Sequence, residues 1–200
     1  MEIEIKLGPV QPDIAAEIFD DTALLPQAGG VERIPMRTVY YDDGAGRLSA
    51  GHFTLRLRQE NDLSVCTFKT PAKGFARVEL ECAAQTVEEG AKTLSEHPEL
   101  PREVADILRE GVFFPRCGAR FLRKTRLCRV RDASFHLCLD EGMLENGARS
   151  QPLCELELEL AEGSAEELQR VAAALMERYG LQLCEKSKQQ RAMELGQEDA

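Results

Sequence analysis

The 200-residue chain has no tryptophan and only three tyrosines, so flat platforms for stacking a base are scarce. Its three histidines, His52, His97 and His136, fall far apart and do not make a metal-ligand cluster. Seven cysteines are present, an odd number, and no two form a CxxC pair. That excludes a disulfide framework and a zinc ribbon, and it reads as buried thiols in a reducing cytoplasm. There is no GxxxxGK[ST] phosphate loop. No apolar run is long enough to span a bilayer, and no basic stretch leads into an apolar one at the N-terminus. The expectation is a cytoplasmic protein without a membrane partner. Basic residues are also in deficit, 25 against 35 acidic ones, for a net charge of −10. Such a balance argues against sequence-blind nucleic-acid binding. An anion remains a feasible ligand if the cations are gathered in one place.

What is present is alternation. Hydrophobic residues make up 43% and charged ones 30%, as in a globular domain, here expected to span residues 1–195 with 196–200 frayed. Met1 to Leu7 sets Glu2, Glu4 and Lys6 against Ile3, Ile5 and Leu7, the period of two that marks a strand. The same period returns at His52–Gln59, with Arg56 and Arg58, and at Ser64–Thr70, with Lys69. Phe75–Cys82 repeats it with Arg77, Glu79 and Glu81. Ile34–Asp42, containing Tyr40, is a further strand. So are Ala119–Arg131, containing Lys124 and Arg126, and Ser134–Glu141, containing Asp140. Leu153–Leu160 places Glu155, Glu157 and Glu159 on one face and leucines on the other. Short turns between these runs indicate antiparallel hairpins. Helices are expected over Pro12–Asp20, from Val87 behind Thr86, over Pro101–Glu110, and from Ser164 to Tyr179 with Gly180 as its stop. A basic segment, Lys186–Arg191, reads either as a cap on a tunnel mouth or as a solvated tail helix.

Two orientations suit a sheet of this kind. Its aliphatic faces can fill a barrel, with the charges in solvent. Alternatively the charges face inward and the aliphatics lie under helices. At least four helices have apolar stripes to bury, and only the second arrangement gives them a partner. The expected fold is therefore α+β: a closed antiparallel barrel of about eight strands, flanked by helices, around a polar-lined tunnel. A lumen of both signs is costly unless solvated or filled. Carboxylates without His or Cys suit a hard cation such as Mg²⁺ or Mn²⁺, and clustered Arg and Lys suit phosphate.

The ordered set Glu2-x-Glu4-x-Lys6, Tyr40-Tyr41-Asp42, Leu55-Arg56-Leu57-Arg58, Thr67-Phe68-Lys69, Arg77-Val78-Glu79-Leu80-Glu81, Lys124-Thr125-Arg126, Asp140 and Glu155/Glu157/Glu159 resembles the CYTH superfamily, the triphosphate tunnel metalloenzymes. The resemblance covers essentially the whole chain. It implies a barrel tunnel, a small-molecule triphosphate as partner, and Mg²⁺ or Mn²⁺ as cofactor, with a homodimer as an open option. By motif, Lys6, Arg56, Arg58, Lys69, Lys124 and Arg126 would grip phosphates, joined by Arg77. Glu2, Glu4, Glu79, Glu81 and Asp140 would hold metal, together with two of Glu155, Glu157 and Glu159, of which the latter two are preferred. A Lys–Tyr pair that activates water in the family would here be Lys124 with Tyr40. Asp43 stands where many relatives have Thr. The expected reaction is hydrolysis of inorganic triphosphate, favoured by the lack of aromatic platforms. The alternatives are a thiamine triphosphatase, a class IV adenylate cyclase, or a non-catalytic polyphosphate or nucleotide sensor.

Overall fold

A computed structural model of the chain describes residues 2–71 and 76–196, without the side chains of Glu2, Ala76 and Arg77. The expected frayed tail lies outside the described residues from position 197 onward. In chain order the elements are β1 (Glu2–Leu7), α1 (Pro12–Phe19), β2 (Gln27–Ala28), β3 (Glu32–Asp43), α2 (Arg47–Ala50), β4 (Thr54–Glu60), β5 (Leu63–Lys69), β6 (Ala76–Arg77), β7 (Glu79–Ala83), α3 (Val87–Leu94), α4 (Arg102–Glu110), β8 (Phe113–Val130), β9 (Ala133–Asn146), β10 (Arg149–Glu162), α5 (Ala165–Tyr179) and α6 (Lys188–Glu194).

The strands join in one antiparallel sheet of order β6-β1-β10-β9-β8-β3-β4-β5-β7, with β2 paired to β8. The sheet curls into a half-barrel and is not closed, which corrects the expected closed barrel. Its hydrogen-bonded path ends at β6 and β7, two short strands separated only by Val78. Too few residues of that segment are strand for a ladder to seal the ring. The long hairpins β8–β9 and β9–β10 exceed their expected limits, and β8 begins at Phe113, six residues before the expected start at Ala119. Those ends lack clean alternation, so their pairing comes from the partner strand and not from the local pattern.

The aliphatic faces lie outward beneath helices. Ala15, Ile18 and Phe19 of α1 and Leu168, Val171, Ala172 and Leu175 of α5 cover Ile5, Leu7, Phe135, Leu137, Leu139, Leu156 and Leu158. Val87, Ala91 and Leu94 of α3 and Val104, Ala105 and Leu108 of α4 cover Leu55, Cys66, Phe68 and Leu80. Thr86 and Ser164 each accept a hydrogen bond from the amide three residues on, the expected caps. The sixth helix departs from this plan. Ala192 and Leu195, on α6 and at its C-cap, pack with Met36, Tyr40, Phe121, Leu144 and Leu153, so α6 fills part of the concave side.

Gly90 marks how closely α3 approaches the sheet. A Cβ there would lie 2.2 Å from the Cys66 Cβ. Alanine in a helix interior is favoured over glycine by about 1 kcal/mol, whereas overpacking costs about 1–3 kcal/mol. The clash wins: Gly90→Ala should lower the urea midpoint, and a raised midpoint would contradict this packing.

Candidate functional site

Because side chains alternate along each strand, one residue in two on the curled sheet faces the concavity. Register fixes which ones. Lys6 lies opposite Glu157 and Glu4 opposite Glu159; Tyr40 lies opposite Arg56 and Thr38 opposite Arg58; Lys69 lies opposite Glu79 and Thr67 opposite Glu81. These faces, with Arg123 and the N-terminal end of α6, enclose a cavity of 440 Å³. Its described lining holds six cations, Lys6, Arg56, Arg58, Lys69, Arg123 and Lys188, against five carboxylates, Glu4, Glu79, Glu81, Glu157 and Glu159.

The charges form two groups. On β4, β5 and β7, Arg56 meets Glu79 at 3.3 Å and Glu81 at 3.8 Å, Arg58 meets Glu60, and it meets Glu81 at 3.5 Å. Lys69 Nζ lies 2.5 Å from Glu79. Burial opposes the Arg56 charge, but Glu79 and Glu81 outweigh it and its pKa is raised. For Arg58, burial and the neighbouring Arg56 prevail over Glu60 and Glu81, so its pKa is lowered. Arg58 nonetheless keeps two carboxylates, Glu60 and Glu81, within reach. The Arg56 Nε is buried and has no hydrogen-bond partner.

The second group lies against α6. Arg123 donates to both Asp140 oxygens at 2.7 Å and also to Glu157. Lys188 Nζ reaches Glu155 at 2.5 Å, Asp140 at 2.7 Å and Glu157 at 2.9 Å. Arg191 reaches the other Glu155 oxygen at 2.5 Å. Burial raises the carboxyl pKa of Glu157, but Lys188, Arg123 and Lys6 together carry it well below the ordinary range. Burial likewise works against Lys188, yet Asp140, Glu157 and Glu155 hold its pKa well above the usual lysine value.

The expected site residues do not all meet. Lys6, Arg56, Arg58, Lys69, Glu4, Glu79, Glu81, Glu157, Glu159 and Tyr40 line the one cavity. Glu2 and Arg77 are cross-strand partners in β1 and β6, but their side chains lie outside the described residues. Lys124 and Arg126 are on the opposite face of β8: Lys124 pairs with Glu141 at 2.6 Å, and Arg126 donates to the Gly29 carbonyl at 2.8 Å and to that of Phe19. A Lys124–Tyr40 pair is thus not formed. A one-residue choice of face in Arg123-Lys124-Thr125-Arg126 decides this, and three basic residues in four leave no apolar alternation to mark it. Arg123 is the inward cation that the alternation did not mark. Lys188 is the other, since the basic run Lys186–Arg191 shows no face either. Asp140 and Glu155 are fully buried and do not line the cavity. All three histidines are exposed.

The family model of the CYTH domain matches residues 1–193. The chain belongs to the CYTH family. Three solved structures share its fold. An adenylyl cyclase candidate from Hippeastrum, described as revealing a dominant triphosphatase activity, is 22% identical, with 98% of this chain and 96% of that one covered at a TM-score of 0.68. A protein from Pyrococcus horikoshii is 17% identical over 97% and 99% of the two chains, at 0.60. An adenylate cyclase candidate from Bacillus halodurans is 16% identical over 94% of each, at 0.57.

The donor set fits the divalent ion that the family implies, but not everywhere. Asp140, Glu155 and Glu157 bring carboxylate oxygens within 4.8 Å of one another. That cluster already surrounds the Lys188 ammonium and touches Arg123, so it is charge-compensated. Glu4 and Glu159 fit better. They lie directly opposite on β1 and β10, a like-charge pairing that costs stability unless a cation joins it. Lys6 reaches Glu4 at 2.5 Å, while Glu159 has no ion-pair partner among the described residues. Hard oxygen donors of this kind suit Mg²⁺ or Mn²⁺.

Removing Lys188 tests the compensated cluster. Lys188→Met leaves three buried carboxylates without their ammonium and should cost about 3–5 kcal/mol at neutral pH. With its pKa depressed, Glu157 contributes stability above its ordinary value of 4.5 and loses it as pH falls through the folded value. The raised Lys188 contributes below 10.5 and loses its share as pH rises through the folded value. The deficit of Lys188→Met in urea unfolding should therefore be widest between these limits and shrink in acid. A deficit independent of pH would show that Lys188 does not neutralise the cluster.

Proposed function

We propose that this protein hydrolyses inorganic triphosphate to diphosphate and phosphate in the concavity of its curled sheet. The observation that carries the reading is the concentration of cations. A chain of net charge −10 places six of them around one cavity, against five carboxylates among its described lining residues. Gathering them there costs desolvation and mutual repulsion, which a polyanion offsets. The dominant triphosphatase activity described for the Hippeastrum relative supports the same choice.

In this reading Arg56, Arg58 and Lys69 hold phosphate oxygens along one wall, with the open Arg56 Nε as a ready donor. Lys6 stands between them and the carboxylates of β1 and β10. Arg123 and Lys188 meet the phosphate chain at the α6 end. Glu4 and Glu159, opposite each other on β1 and β10, would hold the divalent ion. When bound, such an ion would supply charge neutralisation at the transferring phosphoryl group. The reaction forms a bond from a water oxygen to the terminal phosphorus. It breaks the bridging P–O bond, leaves the electron pair on diphosphate and releases a proton to solvent. Tyr40 lines the cavity, and burial keeps its hydroxyl protonated by raising its pKa. It therefore serves as a hydrogen-bond donor to phosphate and not as a base. Lys124 and Arg126 take no part.

Phosphate release from triphosphate should require Mg²⁺ or Mn²⁺ and stop on chelation. Arg56→Ala should reduce kcat/KM by about a hundredfold, whereas Lys124→Ala should stay within about twofold of wild type. Parallel assays with ATP and thiamine triphosphate, scoring cyclic AMP in the first, identify the preferred substrate. Undiminished hydrolysis by Arg56→Ala would sink the proposed site.

A further inference from the structure

Glu155 shares a face with Glu157 and Glu159, yet it behaves differently. It is 0% exposed and is not one of the residues that line the cavity. Both its oxygens are engaged. One receives the Lys188 ammonium at 2.5 Å, and the other receives Arg191 Nη1 at 2.5 Å. Lys188 and Arg191 are three residues apart, one helical turn, so a single carboxylate grips one face of α6 at two points. A metal ion would have to displace both cations.

The helix needs that grip. Its seven residues are too few to be stable alone. Its C-terminal end has separate anchors. Asn146 donates to the Ala192 carbonyl at 3.1 Å, Arg149 donates to the Leu195 carbonyl at 2.7 Å, and Ala192 and Leu195 are packed in the third apolar cluster. At the N-terminal end, the Ser187 and Gln190 side chains close a capping box, and Thr54 donates to Gln189 at 2.5 Å. Those are neutral contacts to neighbours of Lys188, not to its ammonium. Of the three acids around Lys188, Asp140 and Glu157 are shared with Arg123, and Glu155 alone is shared with a second α6 side chain.

We infer that Glu155 is a positioning residue. It clamps α6 through Lys188 and Arg191 so that the Lys188 ammonium is held at the inner end of the concavity, and it does not ligate metal. This rests on the triphosphatase reading above. The clamp sets where the cavity ends on the α6 side and which cation a bound phosphate chain meets there. Loosening it would leave the phosphate grip of Arg56, Arg58 and Lys69 in place while Lys188 wanders.

The test uses the full chain and three readouts: amide hydrogen exchange of residues 188–195, titration with Mn²⁺ alone, and steady-state triphosphate hydrolysis. In Glu155→Gln the α6 amides should exchange about tenfold faster or more. Affinity for Mn²⁺ should stay within about twofold, and kcat should fall about tenfold with KM nearly unchanged. Glu159→Gln should do the reverse, weakening Mn²⁺ binding with α6 protection intact. Arg191→Met removes the outer contact from a residue near the surface and should loosen α6 in the same sense, with Arg191→Lys restoring much of the protection. If Glu155→Gln weakens Mn²⁺ as Glu159→Gln does, or if neither Glu155→Gln nor Arg191→Met changes α6 exchange, the inference is overturned. Should Glu155→Gln fail to fold, Arg191→Met decides alone. An inactive wild type would remove the hydrolysis reading only, since exchange and Mn²⁺ titration still decide the role of Glu155.

Discussion

The structure depends on charge compensation across a curled sheet. Period-two strands put carboxylates and cations on the same face, and curvature turns that face inward, where water alone cannot screen them. Each buried charge then needs an opposite one within reach. Lys188 and Arg123 supply it for Asp140, Glu155 and Glu157; Glu79 and Glu81 supply it for Arg56 and Lys69. Among the described residues, the Arg56 Nε has no hydrogen-bond partner and Glu159 has no ion-pair partner.

The same arrangement explains the helices. A sheet with a charged concave face must bury its aliphatic convex face, and α1 with α5 and α3 with α4 do so in two clusters. The exception, α6, goes to the concave side because it combines a small apolar end, Ala192 and Leu195, with a basic beginning, Lys188 and Arg191. One short helix thereby finishes an apolar patch and a charged one together. The family assignment and the shared fold of the Hippeastrum, Pyrococcus and Bacillus proteins agree with this architecture.

Much of the site was legible because alternation carries direction. Glu4 and Lys6, Arg56 and Arg58, Glu79 and Glu81, and Glu157 and Glu159 are each flanked by aliphatics, and an aliphatic neighbour announces which face is buried under a helix. Arg123-Lys124-Thr125-Arg126 has no such marker, and the inward cation proved to be Arg123 and not Lys124. Glu155 was legible as a member of the inward face but not as a carboxylate that had already found its partners.

The amino-acid sequence by itself determined the strand faces, the helix caps at Thr86 and Ser164, the sorting of apolar stripes onto helices, and the family. These are local properties, set by periods of two and 3.6 and by side chains acting within a few residues. Only the tertiary structure decided that the sheet stays open between β6 and β7, that α6 enters the concavity, and that Lys188 sits where three acids converge. The convergence on Lys188 depends on contacts between segments more than thirty residues apart in the chain, whose distances no local pattern encodes.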